Sequence, residues 1–322
     1  MKTDSEILAL LIEYRDKEYL SGEKLALMLN ISRNSVWKVI EKLKCSGYEI
    51  SSIHGKGYKL ISKSDILSNV IISKNTQTDI TVFDELKSTN EYIKNSAIVN
   101  MPTVVIADGQ TLGKGRLGRE FISAKGKGLY MSYSFNPKLG QGDTMLITCA
   151  VANAVRDSIS EICKIDTKLK WVNDIYMNEK KLCGILTEGE FNLETQLFDR
   201  IIIGIGVNCY HYGLPLELKD KAGFIDDFTD KNFTRNDLAI AIINNLNKLF
   251  YNHRNLDSKK IIEEYKSNCF MINRKIKLNT FSNKLLTVKV LDIGENGELI
   301  IEHLDGTKKG EVESIISGEI IL

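Results

Sequence analysis

Three glycines and three cations share one short stretch of this chain, Gly113-Lys114-Gly115-Arg116-Leu117-Gly118-Arg119. Glycines free a backbone to fold closely around a small ligand, and Lys114, Arg116 and Arg119 supply fixed positive charge for a carboxylate or phosphates. Gly113, Gly115 and Gly118 satisfy the GxGxxG pattern, so a dinucleotide loop is the first reading to weigh. That loop needs a helix to begin inside it. Here the chain runs instead through Lys125-Gly126-Lys127-Gly128 into a strand-like 129–135, so the helix dipole is missing. No GxxxxGK[ST] spacing fits a P-loop either. The stretch therefore offers cationic side chains where those folds offer a helix end, the bland alternative being a solvated basic turn.

A second constellation lies in Lys170-Trp171-Val172-Asn173-Asp174 and Lys180-Lys181-Leu182-Cys183-Gly184, separated by a turn at Asn178-Glu179. Two strands joined there form a hairpin that brings Asp174 and Lys181 together, where the lysine can neutralise a reacting carboxylate. A lysine-studded surface hairpin is the rival reading. Thirdly, the apolar run 201–208 reads as a strand whose Gly204 and Gly206 permit close approach by a ligand or another backbone.

The elements that must position these residues follow from periodicity. Residues 103–107 read as a strand leading through Asp108-Gly109-Gln110 to the cationic loop, and 143–162, 233–251 and 256–270 as amphipathic helices, which with the strands makes an α+β core. Residues 210–228, rich in Gly, Lys and Asp, suggest a lid ordered by a ligand. From Arg274 onward the pattern becomes short alternating runs with Gly294 and Gly297 in turns, the pattern of a small β-barrel.

The first sixty residues have a different character. Ile7, Leu8, Leu11 and Ile12 recur at helical spacing, Ser21 is placed to cap a second helix over 23–29, and Ser32 a third to about Cys45. On that third helix Val36, Val39, Ile40 and Leu43 share one face, leaving Asn34, Lys38 and Lys42 opposite. Arg33 and Asn34 suit base edges, and Lys38 and Lys42 suit phosphates. A hairpin with a His54-Gly55-Lys56-Gly57 turn follows as a wing, adding Lys56 and Lys59. Winged helix-turn-helix is the expectation, a small helical interaction module its rival.

A chain of 322 residues suits two or three domains. A net charge of +1 gives no whole-molecule attraction to nucleic acid, so DNA contact must come from a local basic face. Six scattered cysteines without metal-ligand spacing read as reduced, and neither a membrane span nor a signal peptide is evident, so a cytoplasmic protein without a structural metal is expected.

Taken together, these motifs resemble those of the bifunctional biotin-protein ligases, the biotin operon repressors, along nearly the whole chain. Residues 113–119 are similar to the family's GRGRxGR loop, 170–174 to its KWPND, 181–184 to its KLxGI, and Ser88-Thr89-Asn90 to its STN. Departures are Lys114 for arginine, Val172 for proline and Cys183 for alanine. The serine- and glycine-rich signature of the related lipoate ligases has no counterpart. The resemblance implies a winged helix-turn-helix over 1–63, a mixed α+β, class II synthetase-like ligase domain over 64–270, and an SH3-like domain over 271–322. It implies formation of biotinyl-5'-AMP from biotin and Mg2+-ATP, then transfer to a lysine of a biotin carboxyl carrier protein. Biotin contacts would come from Ser88, Thr89, Asn90, Gln110, Gly113, Lys114, Gly115, Arg116, Lys181 and Gly184. Nucleotide contacts would come from Arg116, Arg119, Asn173 and Asn208. Catalysis would rest on Lys181, Arg116 and Arg119 as an electrostatic clamp, with Asp174 receiving the incoming lysine. A homodimer holding the adenylate as corepressor would bind operator DNA. The competing class is a regulator that senses biotin or a related acyl cofactor and catalyses nothing.

Overall fold

The computed structural model describes residues 2–61, 65–99, 101–137, 139–140, 143–250, 256–280 and 285–321. The expected boundary at residues 63 and 64, and the last residue of the expected helix 233–251, lie outside these. Two compact units emerge, one of Met1–Gln77 with Thr234–Ile240, the other of Thr78–Phe233 with Ala241–Leu322.

In the first unit, helices α1 (Lys2–Glu13), α2 (Gly22–Leu29) and α3 (Arg33–Cys45) precede strands β1 (Ile50–Ile53) and β2 (Gly57–Leu60) and helix α4 (Asn69–Thr76). Ser21 and Ser32 cap α2 and α3 by accepting from Lys24 N and Ser35 N, satisfying amides that a helix start leaves unpaired. Asn30, left-handed at φ 52°, ends α2 and turns the chain into α3. Val36, Val39, Ile40 and Leu43 are all buried, as the helical period requires, in a core with Ile7, Leu11, Leu25 and Leu60. The wing is tied down at its base. Gly57 has φ +113°, and a Cβ there would meet Leu20 O at 2.1 Å, so only glycine lets Tyr58 and Leu20 exchange their backbone hydrogen bonds. Arg235, which opens helix α8 (Arg235–Phe250), closes the unit by donating from Nε to Asp65 Oδ2 at 2.6 Å.

The second unit is built on a seven-stranded mixed sheet. Its strands are β3 (Asp79–Phe83), β4 (Thr103–Ala107), β5 (Gly128–Phe135), β6 (Lys168–Lys170), β7 (Asp174–Met177), β8 (Lys180–Asn192) and β9 (Leu197–Asn208), in spatial order β3-β4-β5-β9-β8-β7-β6. Among the described residues, β3 and β4 are the one strand pair of this sheet that runs parallel. Every residue of β5 is buried, so it reads as an unbroken run without alternation. Helix α5 (Thr89–Lys94) packs on β4, β5 and β9, while α6 (Thr144–Cys163) and α9 (Ser258–Asn268) pack on each other and on the β6 end of the sheet. Within the 210–228 segment lie a short helix α7 (Leu216–Lys219) and a 3-10 turn.

The last segment forms a five-stranded antiparallel sheet from β10 (Lys275–Asn279), β11 (Leu285–Ile293), β12 (Leu299–His303), β13 (Val312–Ile315) and β14 (Glu319–Ile321), in order β13-β12-β11-β10-β14. Trp171 Nε1 donates to Gly297 O at 2.9 Å, which joins the β11-β12 turn to the strand hairpin of the larger sheet.

Candidate active site

The β7-β8 hairpin turns at Asn178 and Glu179, both left-handed at φ 46° and 64°, the geometry that matches the strands' twist. It brings Lys181 Nζ within 2.6 Å of Asp174 Oδ1, an ion pair shielded on both sides. That oxygen is buried and has no donor aligned on it as a hydrogen bond. The backbone of Lys181 is held too, donating to Lys221 O at 2.8 Å and accepting from Gly223 N at 3.0 Å. The expected lid is thus clasped to the strand that carries the lysine.

A small pocket opens beside this pair. Its most buried polar lining is Ser88, Thr89 and Asn90, joined by Gln110; Lys114, which is exposed, marks the mouth together with Gly115, Arg116, Asn173 and Lys181; Gly184, Gly204 and Gly206 also line it. Gly184 faces Gly206 and Leu186 faces Gly204 across the β8-β9 ladder, and the glycines let Phe121 and Asn90 lie close against the sheet. The cationic loop folds over on its own hydrogen bonds, Gly115 N to Arg119 O at 2.7 Å and Phe121 N to Gly113 O at 2.9 Å. Gly113 does not line the pocket. A Cβ there would meet Phe121 O at 2.3 Å, so its role is to let the loop close on itself.

Charge at the mouth is shaped by burial. Arg116 donates from Nη1 to Asn173 Oδ1 at 3.1 Å, and desolvation holds its pKa below the ordinary arginine value, offset by Asp174 and Glu319. Lys170, on the strand beside Asp174, is likewise pushed down by burial. Lys114 is half exposed and pairs with Glu91 Oε2 at 3.0 Å. Arg119 does not line the pocket, because its guanidinium forms a bidentate pair with Glu319 of β14. Nor does Asn208, whose Nδ2 donates to Lys181 O and Gly223 O.

Arg116, Asn173 and Ile185 are shared with a second, larger cleft of about 700 Å3 between the start of α6 and the C-terminal sheet, edged by Asp143, Thr148, Glu298, Ser314 and Ile316. Such a volume lies within the range of small-molecule sites. Sequence reasoning missed this cleft, along with Phe121 and Met131 in the pocket wall. Among the described residues no cluster of His, Cys, Asp and Glu is placed to hold a metal, and no helix is long and apolar enough to cross a membrane.

In the first unit Arg33, Asn34, Lys38 and Lys56 are exposed, as a groove-facing surface requires. Lys42 is exposed but pairs with Asp4 at 2.5 Å, and Lys59 lies half-buried over the Tyr19 ring at 5.6 Å. Trp37, 52% exposed on the same helix, was not singled out from the sequence.

Comparison with known proteins sets this geometry in context. The family model described as "Biotin/lipoate A/B protein ligase family" matches residues 82–208, the interval holding every residue of the small pocket, and an "HTH domain" model matches 4–59. A relative from Bacillus subtilis, "Bifunctional ligase/repressor BirA", is 34% identical over 301 residues, covering 91% of this chain and 92% of its own. This chain belongs to the bifunctional ligase/repressor family. The Escherichia coli family member of the same name is 25% identical over 324 residues, 100% of this chain and 98% of its own. Among solved structures, the biotin protein ligase from Aquifex aeolicus in complex with biotin and ATP superimposes with a TM-score of 0.64 at 28% identity, covering 76% of this chain and 97% of that one. The helix-turn-helix and ligase models match this chain in that order.

Proposed function

We propose that this chain is an ATP-dependent biotin-protein ligase and a biotin-responsive repressor of biotin synthesis and uptake genes. One observation carries the ligase reading: a single pocket is lined both by the buried amide and hydroxyl groups of Ser88, Thr89 and Asn90 and by the cations Arg116 and Lys181. A cyclic urea can be hydrogen-bonded inside while its carboxylate tail reaches the cations. There the tail oxygen attacks the α-phosphorus of Mg2+-ATP, pyrophosphate leaves, and biotinyl-5'-AMP forms. Both reactants are anions, so preorganised positive charge is what lowers the barrier. Arg116 and Lys181 supply it, Lys114 adding to the field from the mouth and Arg119, paired with Glu319 outside the pocket lining, from further away. The metal enters with the triphosphate, since the described residues offer no cage for it. Asn173 orients Arg116, and Asn208 fixes the strand carrying Lys181 next to the nucleotide.

In the second step the amine of a carrier-protein lysine attacks the acyl carbon and AMP leaves. The amine must first lose a proton, and Asp174, paired with Lys181 beside the pocket, is the acceptor or orienter. The domain division is residues 1–63 for operator DNA, 64–270 for a class II synthetase-like ligase, and 271–322 for an SH3-like domain that completes the nucleotide and acceptor cleft. The adenylate acts as corepressor by promoting a homodimer that presents two recognition helices. Arg33 and Asn34 read bases, while Lys38, Lys42, Lys56 and Lys59 meet phosphates. The protein works in the cytoplasm.

Incubation with biotin, Mg2+-ATP and a carboxyl carrier domain tests the ligase: label on the acceptor lysine and stoichiometric pyrophosphate are expected. Biotin binding without pyrophosphate release would leave a sensor in its place. Gel shifts on promoter DNA with and without biotin and ATP, paired with sedimentation, test the repressor and its ligand-driven dimer.

A further inference from the structure

Helix α5 is gripped at both ends by the sheet beneath it. Glu188 and Glu190 stand two residues apart and so on one face of β8, and Glu190 is the direct partner of Arg200 across the β8-β9 ladder. At the start of α5, Asn90 Nδ2 donates to Glu188 Oε2 at 2.7 Å, and Ser132 Oγ of β5 donates to Asn90 Oδ1 at 2.6 Å. Gly204 of β9 leaves room for this, since a Cβ there would sit 2.4 Å from Asn90 Oδ1. At the other end, Arg200 Nη1 donates to Ile93 O at 2.9 Å and Ser96 O at 3.0 Å, and its Nη2 donates to Lys94 O at 2.9 Å and to the Glu190 carboxylate. The last carbonyls of a helix have no partner within it, and Arg200, itself only 4% exposed, supplies one. A planar guanidinium can span three carbonyls and a carboxylate at once, whereas an ammonium carries its donors on a single atom.

With six residues, α5 is only about 9 Å long, so its carbonyl end and its first turn move as one body. That first turn is part of the pocket: Ser88, which caps the helix, Thr89 and Asn90 all line it. Arg200 and Glu190 do not. We propose that Arg200, with Glu190 as its counter-charge, is a positioning residue that fixes α5 from its far end and so presets the Ser88-Thr89-Asn90 wall before the ligand arrives. The inference rests on the biotin reading above and adds to it a residue that belongs to none of the motifs carrying that reading. A wall ordered in advance spares the ligand the cost of ordering it, so the loss of Arg200 falls on affinity and leaves the chemical step alone.

The test uses the full chain, with biotin affinity read by titration calorimetry, pyrophosphate release followed against biotin and against ATP, and Tm measured alongside. Arg200→Met should raise Kd and KM for biotin about tenfold, keep kcat at saturating biotin within about threefold and leave KM for ATP unchanged. Arg200→Lys, which keeps the charge beside Glu190 but not the fork, should raise KM for biotin about threefold, and Glu190→Gln about twofold. Arg156→Met is the control for general softening of the fold. Arg156 is also largely buried, but it donates to Thr167 O, Asp157 and Asp166 and makes no hydrogen bond to α5 among the described residues, so its loss should lower Tm and leave KM for biotin where it was. Should Arg200→Met fail to fold, Arg200→Lys and Glu190→Gln carry the test. An unchanged Kd for biotin in every Arg200 and Glu190 variant that folds, an equal rise in Arg156→Met, or a fall in kcat with KM unchanged overturns the role of Arg200 while leaving the ligase intact. A wild-type chain that neither binds biotin nor releases pyrophosphate overturns the ligase reading itself.

Discussion

Helix α3 of the helix-turn-helix and the small pocket of the second unit, in the roles proposed for them, solve opposite problems. On α3 the side chains proposed to meet DNA point outward from one continuous element, and burial of Val36, Val39, Ile40 and Leu43 decides where they point. In the pocket the lining side chains come from α5, the loop after β4, the residue before β7 and the start of β8, so that several elements must meet to form it. An exposed side chain can therefore be removed with little consequence for its neighbours. A pocket residue cannot, because removing it also leaves a buried partner unsatisfied.

Lys181→Ala gives this contrast its severest test. It deletes a cation at the mouth and strands Asp174, and should lower kcat/KM for pyrophosphate release by on the order of 100- to 1000-fold, about 3–4 kcal/mol of transition-state stabilisation. Affinity for DNA, measured by anisotropy without biotin or ATP, should stay at the wild-type value. A parallel loss of both would break the comparison.

Next in size comes the reverse experiment. Asn34→Ala, on the exposed face near the start of α3, should cost about 1–3 kcal/mol of sequence-specific DNA binding, with pyrophosphate release unaltered. Competition against mismatched duplexes reads this directly, and equal loss on all sequences would reassign Asn34 to the backbone.

A finer contrast lies within the helix itself. Lys38 is exposed, and no ion pair holds it among the described residues, whereas Lys42 is held by Asp4 at 2.5 Å and must leave that partner to meet a phosphate. Lys38→Ala should reduce the salt slope of DNA binding by about one, and Lys42→Ala by less. Equal slopes would show that the Asp4 pair opens freely on DNA.

The same contrast explains what the sequence discloses. Caps at Ser21 and Ser32, the buried stripe of α3 and the wing glycines are local features, and each is found where periodicity and turn chemistry place it. The Asp174–Lys181 pair was likewise legible, because the hairpin turn separating them is only two residues long. Ser132 was not, since β5 is buried along its whole length and alternation carries no information there. Glu188 sits in Thr187-Glu188-Gly189-Glu190, which reads as solvent-facing polarity until Asn90 is seen to donate to it across 98 positions. Arg119 shows the limit most clearly. Its charge was legible, but its partner stands 200 residues away in β14.

That last pair yields the smallest effect. Arg119 holds the Glu319 carboxyl below the usual glutamate range, chiefly by hydrogen bonding, and clasps the cationic loop to the C-terminal sheet. The folded chain therefore binds this proton at lower pH than the unfolded chain does. The stabilisation is complete above the ordinary glutamate value of about 4.3 and is lost as pH falls through the depressed folded value. Arg119 remains mostly exposed and Glu319 about a quarter so, which screens the pair and limits its worth to under about 1 kcal/mol. Glu319→Gln should thus lower Tm by only a degree or two at pH 7, and the difference from wild type should vanish as pH falls through the depressed folded value. Because the substitution frees the Arg119 guanidinium beside the mouth, KM for ATP should fall slightly in the same variant. A rise would mean that the clasp, rather than the freed charge, is what the nucleotide uses.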